Sequence, residues 1–145
     1  MKKKALIHIG ASELQFKSLR WAKEVGLYIV ATDLNRNALG RKYADEFHNI
    51  SGIDSDAFMG LVRQLKKTHD IVGAYCNSDF GVRVVSEINE LLGISGCVPS
   101  SVDIALDKSK AKTMMSASNI PVPQGIIVDR NSFYDNTLQR LKLPV

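Results

Sequence analysis

The stretch Ala5-Leu6-Ile7-His8-Ile9-Gly10-Ala11-Ser12 decides the fold of this chain. Its first five residues form a nearly continuous apolar run, which is typical of a parallel strand covered by helices on both faces. Residues 14–25 then carry apolar side chains near helical spacing, and Gly26 follows them as a helix-ending signal. We therefore predict a strand, a short loop containing Gly10, and a helix at the start of the chain.

The same alternation of strand and helix continues downstream. Further strand patterns lie at residues 27–31, 46–50 and 70–75. Helical spacing separates them: a turn into a short helix follows residue 35, a helix capped by an aspartate follows residue 54, and a third ends at Gly93. Residue 94 begins a short fifth strand or an extended link, and residues 125–128 have the pattern of a strand that starts a new unit. Because strands alternate with helices, we predict an α/β fold, a doubly wound and mostly parallel sheet of order 3-2-1-4-5.

Composition limits the classes of function. The chain has 145 residues, 45% of them hydrophobic, which suits one core. No apolar run approaches the roughly 18 to 20 residues of a membrane span, and the net charge of +4 is spread along the sequence. Cys76 and Cys97 show no pairing or metal-binding spacing. We expect a cytoplasmic protein with free thiols that binds neither membrane nor nucleic acid.

Two loops are candidates for a ligand site. Ligands of doubly wound sheets bind beyond the carboxyl ends of the strands, where the strand order reverses, here between strands one and four. Gly10-Ala11-Ser12 would lead into a helix N-terminus able to stabilise a carboxylate or phosphate. Asn77-Ser78-Asp79 would face the same crevice and suit an amine or hydroxyl groups. The structural alternative is that Ser12, Asn77 and Asp79 only cap their helices.

Asp33 follows strand two, 23 positions after Gly10. In dinucleotide-binding folds, the acid that binds the ribose stands at a similar distance from the glycine-rich loop. The loop here has one glycine, however, and the motif that binds the pyrophosphate needs several. A nicotinamide-dinucleotide-binding domain therefore stays an alternative.

His8 lies inside an apolar strand. This position favours a buried histidine whose ring is hydrogen-bonded within the core over one that binds a ligand. The sequence shows no metal-binding or triad pattern, so no metal ligand or catalytic residue is assigned.

Several short motifs in a fixed order resemble the start of ATP-grasp carboxylate ligases, carbamoyl-phosphate synthase large-subunit-like proteins in particular. The resemblance covers nearly the whole chain, and its order is more specific than any single motif. Its motifs are Gly10-Ala11-Ser12-Glu13-Leu14-Gln15, Ala22-Lys23-Glu24-Val25-Gly26, Asp33, Tyr43-Ala44-Asp45, Leu92-Gly93-Ile94, Asp107-Lys108-Ser109-Lys110 and Ile120-Pro121-Val122-Pro123.

The resemblance implies a domain plan and a set of site residues. Residues 1–100 would form a Rossmann-like pre-ATP-grasp domain, 101–119 a helical connection, and 120–145 the start of a truncated ATP-grasp small lobe. It implies substrate contact from the two loops, and Lys108 would match the position whose basic side chain reaches the nucleotide phosphates. The substrate-binding candidates are Gly10, Ala11, Ser12, Asp33, Asn77, Ser78 and Asp79.

The family's chemistry implies partners for this chain. Such enzymes use ATP and Mg²⁺ to phosphorylate a carboxylate, and a nucleophile, often an amine, then displaces phosphate. We expect a small carboxylate or amine substrate, and the remaining ATP-grasp lobes or a partner chain. The rest of the family's nucleotide and magnesium ligands would lie beyond Val145, so the fragment alone should be inactive and bind neither ATP nor Mg²⁺ tightly. Exposed apolar surface would allow a homodimer. A non-catalytic ligand-binding module is the remaining alternative.

Overall fold

A computed structural model describes residues 2–128 of the chain. Its centre is a four-stranded, all-parallel sheet with the order β3-β2-β1-β4. The strands are β1 (Lys3–Ile9), β2 (Tyr28–Thr32), β3 (Glu46–His48) and β4 (His69–Tyr75). The predicted α/β class, the parallel sheet and the position of β1 between β2 and β4 are confirmed.

Helices connect the strands as the apolar spacing predicted, and two further helices follow them in the region expected to be a helical connection. They are α1 (Phe16–Glu24), a 3-10 helix (Leu39–Tyr43), α2 (Ser55–Thr68), α3 (Asp79–Leu92), α4 (Pro99–Leu106) and α5 (Lys108–Ala117). The Asp54 side chain caps α2 by accepting a hydrogen bond from the Ala57 amide. Gly93 ends α3 in the left-handed conformation, which glycine adopts without steric cost.

Apolar side chains are buried on both faces of the sheet. Along β2, Val30 packs into a cluster with α2 and α3, whereas Ile29 and Ala31 pack into a second cluster with α1. Successive strand residues point to opposite faces, so one short apolar strand serves both cores. Phe58 and Leu19, both fully buried, are the large helical side chains of the two clusters.

Three local predictions need adjustment. Residue 94 belongs to an extended link, because no strand pairs with it in the part of the chain that the structure describes. Residues 120–128 contain neither helix nor strand, so the strand expected at 125–128 is absent there. Helix α1 begins at Phe16 because residues 12–15 form turns of their own.

The chain divides into two compact units, Met1–Asp103 and Ile104–Val145. The sheet and both apolar clusters belong to the first unit. Helix α5 belongs to the second unit, and residues 129–145 of the predicted small lobe lie outside the described residues. The domain boundaries at 100 and 119 therefore stay predictions. Among the helices of residues 2–128, none is long and apolar enough to cross a membrane.

Candidate functional site

The loops after β1 and β4 meet at the carboxyl edge of the sheet. The Asn77 amide nitrogen Nδ2 donates a hydrogen bond to the Leu14 carbonyl at 3.2 Å. This is the edge where the strand order reverses, since β2 and β3 lie on one side of β1 and β4 on the other. The two loops that the sequence singled out therefore border one crevice.

Most backbone donors of the loop after β1 are already used inside the chain. The Gly10 amide donates to the Thr32 carbonyl at 2.9 Å, and the Ala11 amide to Asp33 Oδ2 at 2.8 Å. The Ser12 amide and hydroxyl both donate to Oε1 of the buried Gln15 side chain, the amide at 3.0 Å. The Gln15 oxygen thus occupies the place where an anion's oxygen was expected to bind.

Asp33 holds this loop in place. Its two carboxylate oxygens accept hydrogen bonds from the Ala11 amide and from the Asn35 amide, each at 2.8 Å. Charge-assisted bonds of this kind are the stronger ones in proteins. Gly10 has a φ of +87°, which a residue with a side chain rarely adopts, and a Cβ there would lie 3.1 Å from the Gln15 side chain.

The loop after β4 carries exposed polar side chains next to its contact with Leu14. Asn77 and Asp79 are exposed, and Asn77 donates across the crevice to Leu14. Ser78 is the N-cap residue of α3, but its side chain makes no capping hydrogen bond. The Cys76 thiol donates to the Ser78 carbonyl at 3.3 Å, which ties the loop to the end of β4.

His8 lies behind the loop and is fully buried. Burial lowers the pKa of His8 to about 4, against a smaller raising effect of its hydrogen bond to Gly10. The neutral ring must donate from Nδ1 to the Gly10 carbonyl at 2.8 Å, because a carbonyl can only accept. Nε2 lies 2.8 Å from the Ser18 hydroxyl oxygen, which is also 2.8 Å from the Gln15 carbonyl, so the single hydroxyl hydrogen serves one of these two acceptors at a time. His8 therefore positions the loop and is not free to bind a ligand.

A cavity of about 290 Å³ opens beside Asp33 at the same edge. Its lining includes Thr32 at the end of β2, Gly52 and Ile53 of the segment after β3, and Phe80 of α3. Sequence reasoning missed this cavity because its walls come from four separate segments, the fourth being the loop at Gly10. The only local signal was a threonine that ends an otherwise apolar strand.

Lys108 lies in the second unit, at the first position of α5. The Asp107 carboxylate caps this helix by accepting from the Ser109 and Lys110 amides at 3.0 and 3.1 Å. The pKa of Asp107 is lowered, and the largest cause is the hydrogen bond that its carboxylate accepts from the Ser109 hydroxyl. Lys108 is exposed, and together with Lys112 it lines a cavity of about 740 Å³ within this unit.

Comparisons with known proteins support the fold. Phosphoribosylglycinamide synthetase from Anaerococcus prevotii is 26% identical, with a TM-score of 0.72 over 98% of this chain and 35% of that chain. N5-carboxyaminoimidazole ribonucleotide synthetase from Thermotoga maritima is 22% identical, with a TM-score of 0.67 over 92% of this chain and 36% of that chain. L-amino acid ligase from Bacillus licheniformis is 13% identical, with a TM-score of 0.65 over 96% of this chain and 43% of that chain.

Sequence comparisons were negative: no family model and no curated protein matches the chain. The chain spans about a third of the length of the two synthetases. These structural neighbours are ATP-grasp ligases, and the match covers nearly all of this chain. The chain therefore has the fold of the amino-terminal, pre-ATP-grasp portion of ATP-grasp ligases.

Proposed function

We propose that this chain is the substrate-binding, amino-terminal portion of an ATP-dependent carboxylate–amine ligase that works through an acyl phosphate. The observation that carries the proposal is the Asn77–Leu14 hydrogen bond, which brings the loops after β1 and β4 to one crevice. The crevice lies at the strand-order reversal, the usual ligand position of this architecture. The substrate-binding groups are Gly10-Ala11-Ser12, Asp33 and Asn77-Ser78-Asp79.

These groups divide into two roles. Gly10, Ala11, Ser12 and Asp33 shape the crevice, because their donors and acceptors are bonded to one another, to neighbouring backbone or to the Gln15 side chain. Asn77 and Asp79 are exposed and supply the contacts that a substrate would meet. An amide and a carboxylate from one exposed loop suit a substrate that carries an amine or hydroxyl groups as well as its carboxylate.

ATP and Mg²⁺ belong to the reaction of the full-length ligase in this proposal. One neighbour, the N5-carboxyaminoimidazole synthetase from Staphylococcus aureus, was solved with ADP. Lys108 would contact the nucleotide phosphates as a flexible cation, and the metal would neutralise the phosphate charge. Further ATP-grasp lobes or a partner chain would complete the site. We place the enzyme in the cytoplasm, where thiols such as Cys76 and Cys97 stay reduced.

The proposal is tested by titrating the isotope-labelled protein with small acids, glycine and acetate among them, and recording amide NMR spectra. We expect the amides of Glu13, Leu14 and Asp79 to shift, since they border the crevice. Asn77→Ala should weaken this binding about fivefold, the effect of one lost hydrogen bond. Gln64→Ala, which removes an exposed side-chain amide on α2, is the matched control and should leave it unchanged. Shifts confined to other parts of the sheet would contradict the proposal.

A nicotinamide-dinucleotide site is the competing candidate, and the geometry of Asp33 weighs against it. Its carboxylate is engaged by two backbone amides at 2.8 Å instead of reaching out to a ribose. We expect no NADH binding in a fluorescence titration at micromolar concentration. Micromolar NADH binding that Asp33→Ala abolishes would instead support an oxidoreductase domain.

A further inference from the structure

We propose that the cavity beside Asp33 binds an uncharged, ring-sized group of the ligase substrate, held by the Thr32 hydroxyl and the ring of Phe80. The inference rests on the proposed function, because it treats the cavity and the neighbouring crevice as parts of one substrate site. It adds a chemical class: an acid whose carboxylate lies at the crevice and whose other end carries a ring.

The buried hydroxyl of Thr32 calls for a hydrogen-bond partner. Thr32 is fully buried, and its Oγ1 has no partner among the residues that the structure describes. A buried polar atom without a partner is costly, and native proteins rarely leave one. Thr32 also lines the cavity, so its unpartnered hydroxyl is the group we assign to the ligand.

The walls of the cavity are apolar and unusually exposed. Phe80 is 51% exposed, Ile53 70% and Leu34 68%, and all three line the cavity. Covering such side chains is favourable at roughly 25 cal/mol per Å² of apolar surface. The face of an aromatic ring is a natural partner for Phe80, since aromatic pairs gain stability beyond their buried area.

Glycine at position 52 keeps this wall open. A Cβ on Gly52 would lie 2.4 Å from Phe80 Cε2 and 3.1 Å from Ile9 Cγ2, so any side chain there would displace the Phe80 ring. Gly52 has no special backbone conformation that would otherwise require glycine. The close approach of the Phe80 ring to the backbone is therefore what the glycine permits.

Size and charge define the occupant. The cavity holds about 290 Å³, above the roughly 150 Å³ known to accept a benzene and at the lower limit of drug-sized sites. A single ring fits this volume better than a whole dinucleotide. Asp33 also lines the cavity, and its negative charge disfavours an anionic occupant, so the uncharged ring is the part of the substrate that enters.

The test uses benzyl alcohol, a ring with one hydroxyl and no charge, added to the labelled full chain and followed by amide NMR. Binding should shift the amides of Gly52, Ile53 and Phe80. Thr32→Val removes the hydroxyl while keeping the shape, and it should weaken binding about fivefold. Thr32→Ser keeps the hydroxyl and should bind within about twofold of the unmodified protein. Gly52→Ala should also weaken binding, by moving the Phe80 ring.

The outcomes separate this inference from the proposed function. If acetate shifts Leu14 and Asp79 while benzyl alcohol leaves the cavity amides unchanged, the ring site is wrong and the acid-binding crevice stands. If benzyl alcohol binds equally well to the Thr32→Val protein, the role of the hydroxyl is wrong. Benzyl alcohol binding without any acid binding supports the cavity while contradicting the ligase proposal.

Discussion

At the scale of single residues, His8 shows how a buried side chain can link stability to pH. Its ring is neutral in the folded chain, with both nitrogens bonded to Gly10 and Ser18. Its pKa is lowered to about 4 from an ordinary value of 6.5. The unfolded chain therefore binds this proton more readily than the folded one, and stability contributed by the neutral ring is lost as pH falls from 6.5 towards 4.

Because of His8, we expect the free energy of unfolding to be about 2 kcal/mol lower at pH 5 than at pH 7. The measurement is urea unfolding at both pH values, followed by circular dichroism. His8→Gln should lose most of this dependence because it does not titrate. His69→Gln, at the start of β4, is the control and should retain it. An unchanged pH dependence in the His8→Gln protein would show that the ring is not the titrating group.

At the scale of elements, Gly81 allows α3 to lie close to the sheet. A Cβ at this position would meet Cys76 Sγ at 2.6 Å and Ile9 Cγ2 at 3.0 Å. Gly60 in α2 is the opposite case, because a Cβ there would meet no atom within 4 Å. Of these two helical glycines, Gly81 has no room for a side chain, whereas Gly60 has room for one.

Alanine at the two positions should act in opposite directions. Gly81→Ala overpacks the interface and should destabilise the fold by about 1 to 3 kcal/mol. Gly60→Ala relieves the entropic cost of a mid-helix glycine and should stabilise it by about 0.5 to 1 kcal/mol. Denaturant midpoints compare the variants directly. Equal effects of the two substitutions would refute the close contact at Gly81.

Regular elements were predictable from sequence, whereas contacts made by single side chains were not. The apolar runs around Ile7 and Val30 predicted buried parallel strands because periodicity is a property of the chain itself. The fold-back of Gln15 onto Ser12 was not predicted, although a serine followed three residues later by a glutamine has the spacing of a capping box. The cavity at Thr32 and Phe80 could not be predicted from the sequence either, because it depends on how segments that are distant in the chain pack together.

At the scale of the whole molecule, the first compact unit contains every strand of the described residues. A protein ending after Leu106, the last residue of α4, should therefore keep the sheet and both apolar clusters. Its amide NMR spectrum should retain the positions of the β1 to β4 signals, and its unfolding should stay cooperative. Loss of dispersed strand signals would mean that the sheet needs the remaining residues in order to form.

The central position of β1 has a consequence for synthesis. β1 pairs with β2 early in the chain, but its other edge pairs with β4, which begins at His69. Ribosomes add about 5 to 20 residues per second, so roughly 3 to 12 seconds separate the emergence of β1 from that of β4. During that interval an apolar strand edge is open to other chains. The order of strands thus leaves one edge of β1 unpaired in the nascent chain until β4 has been made.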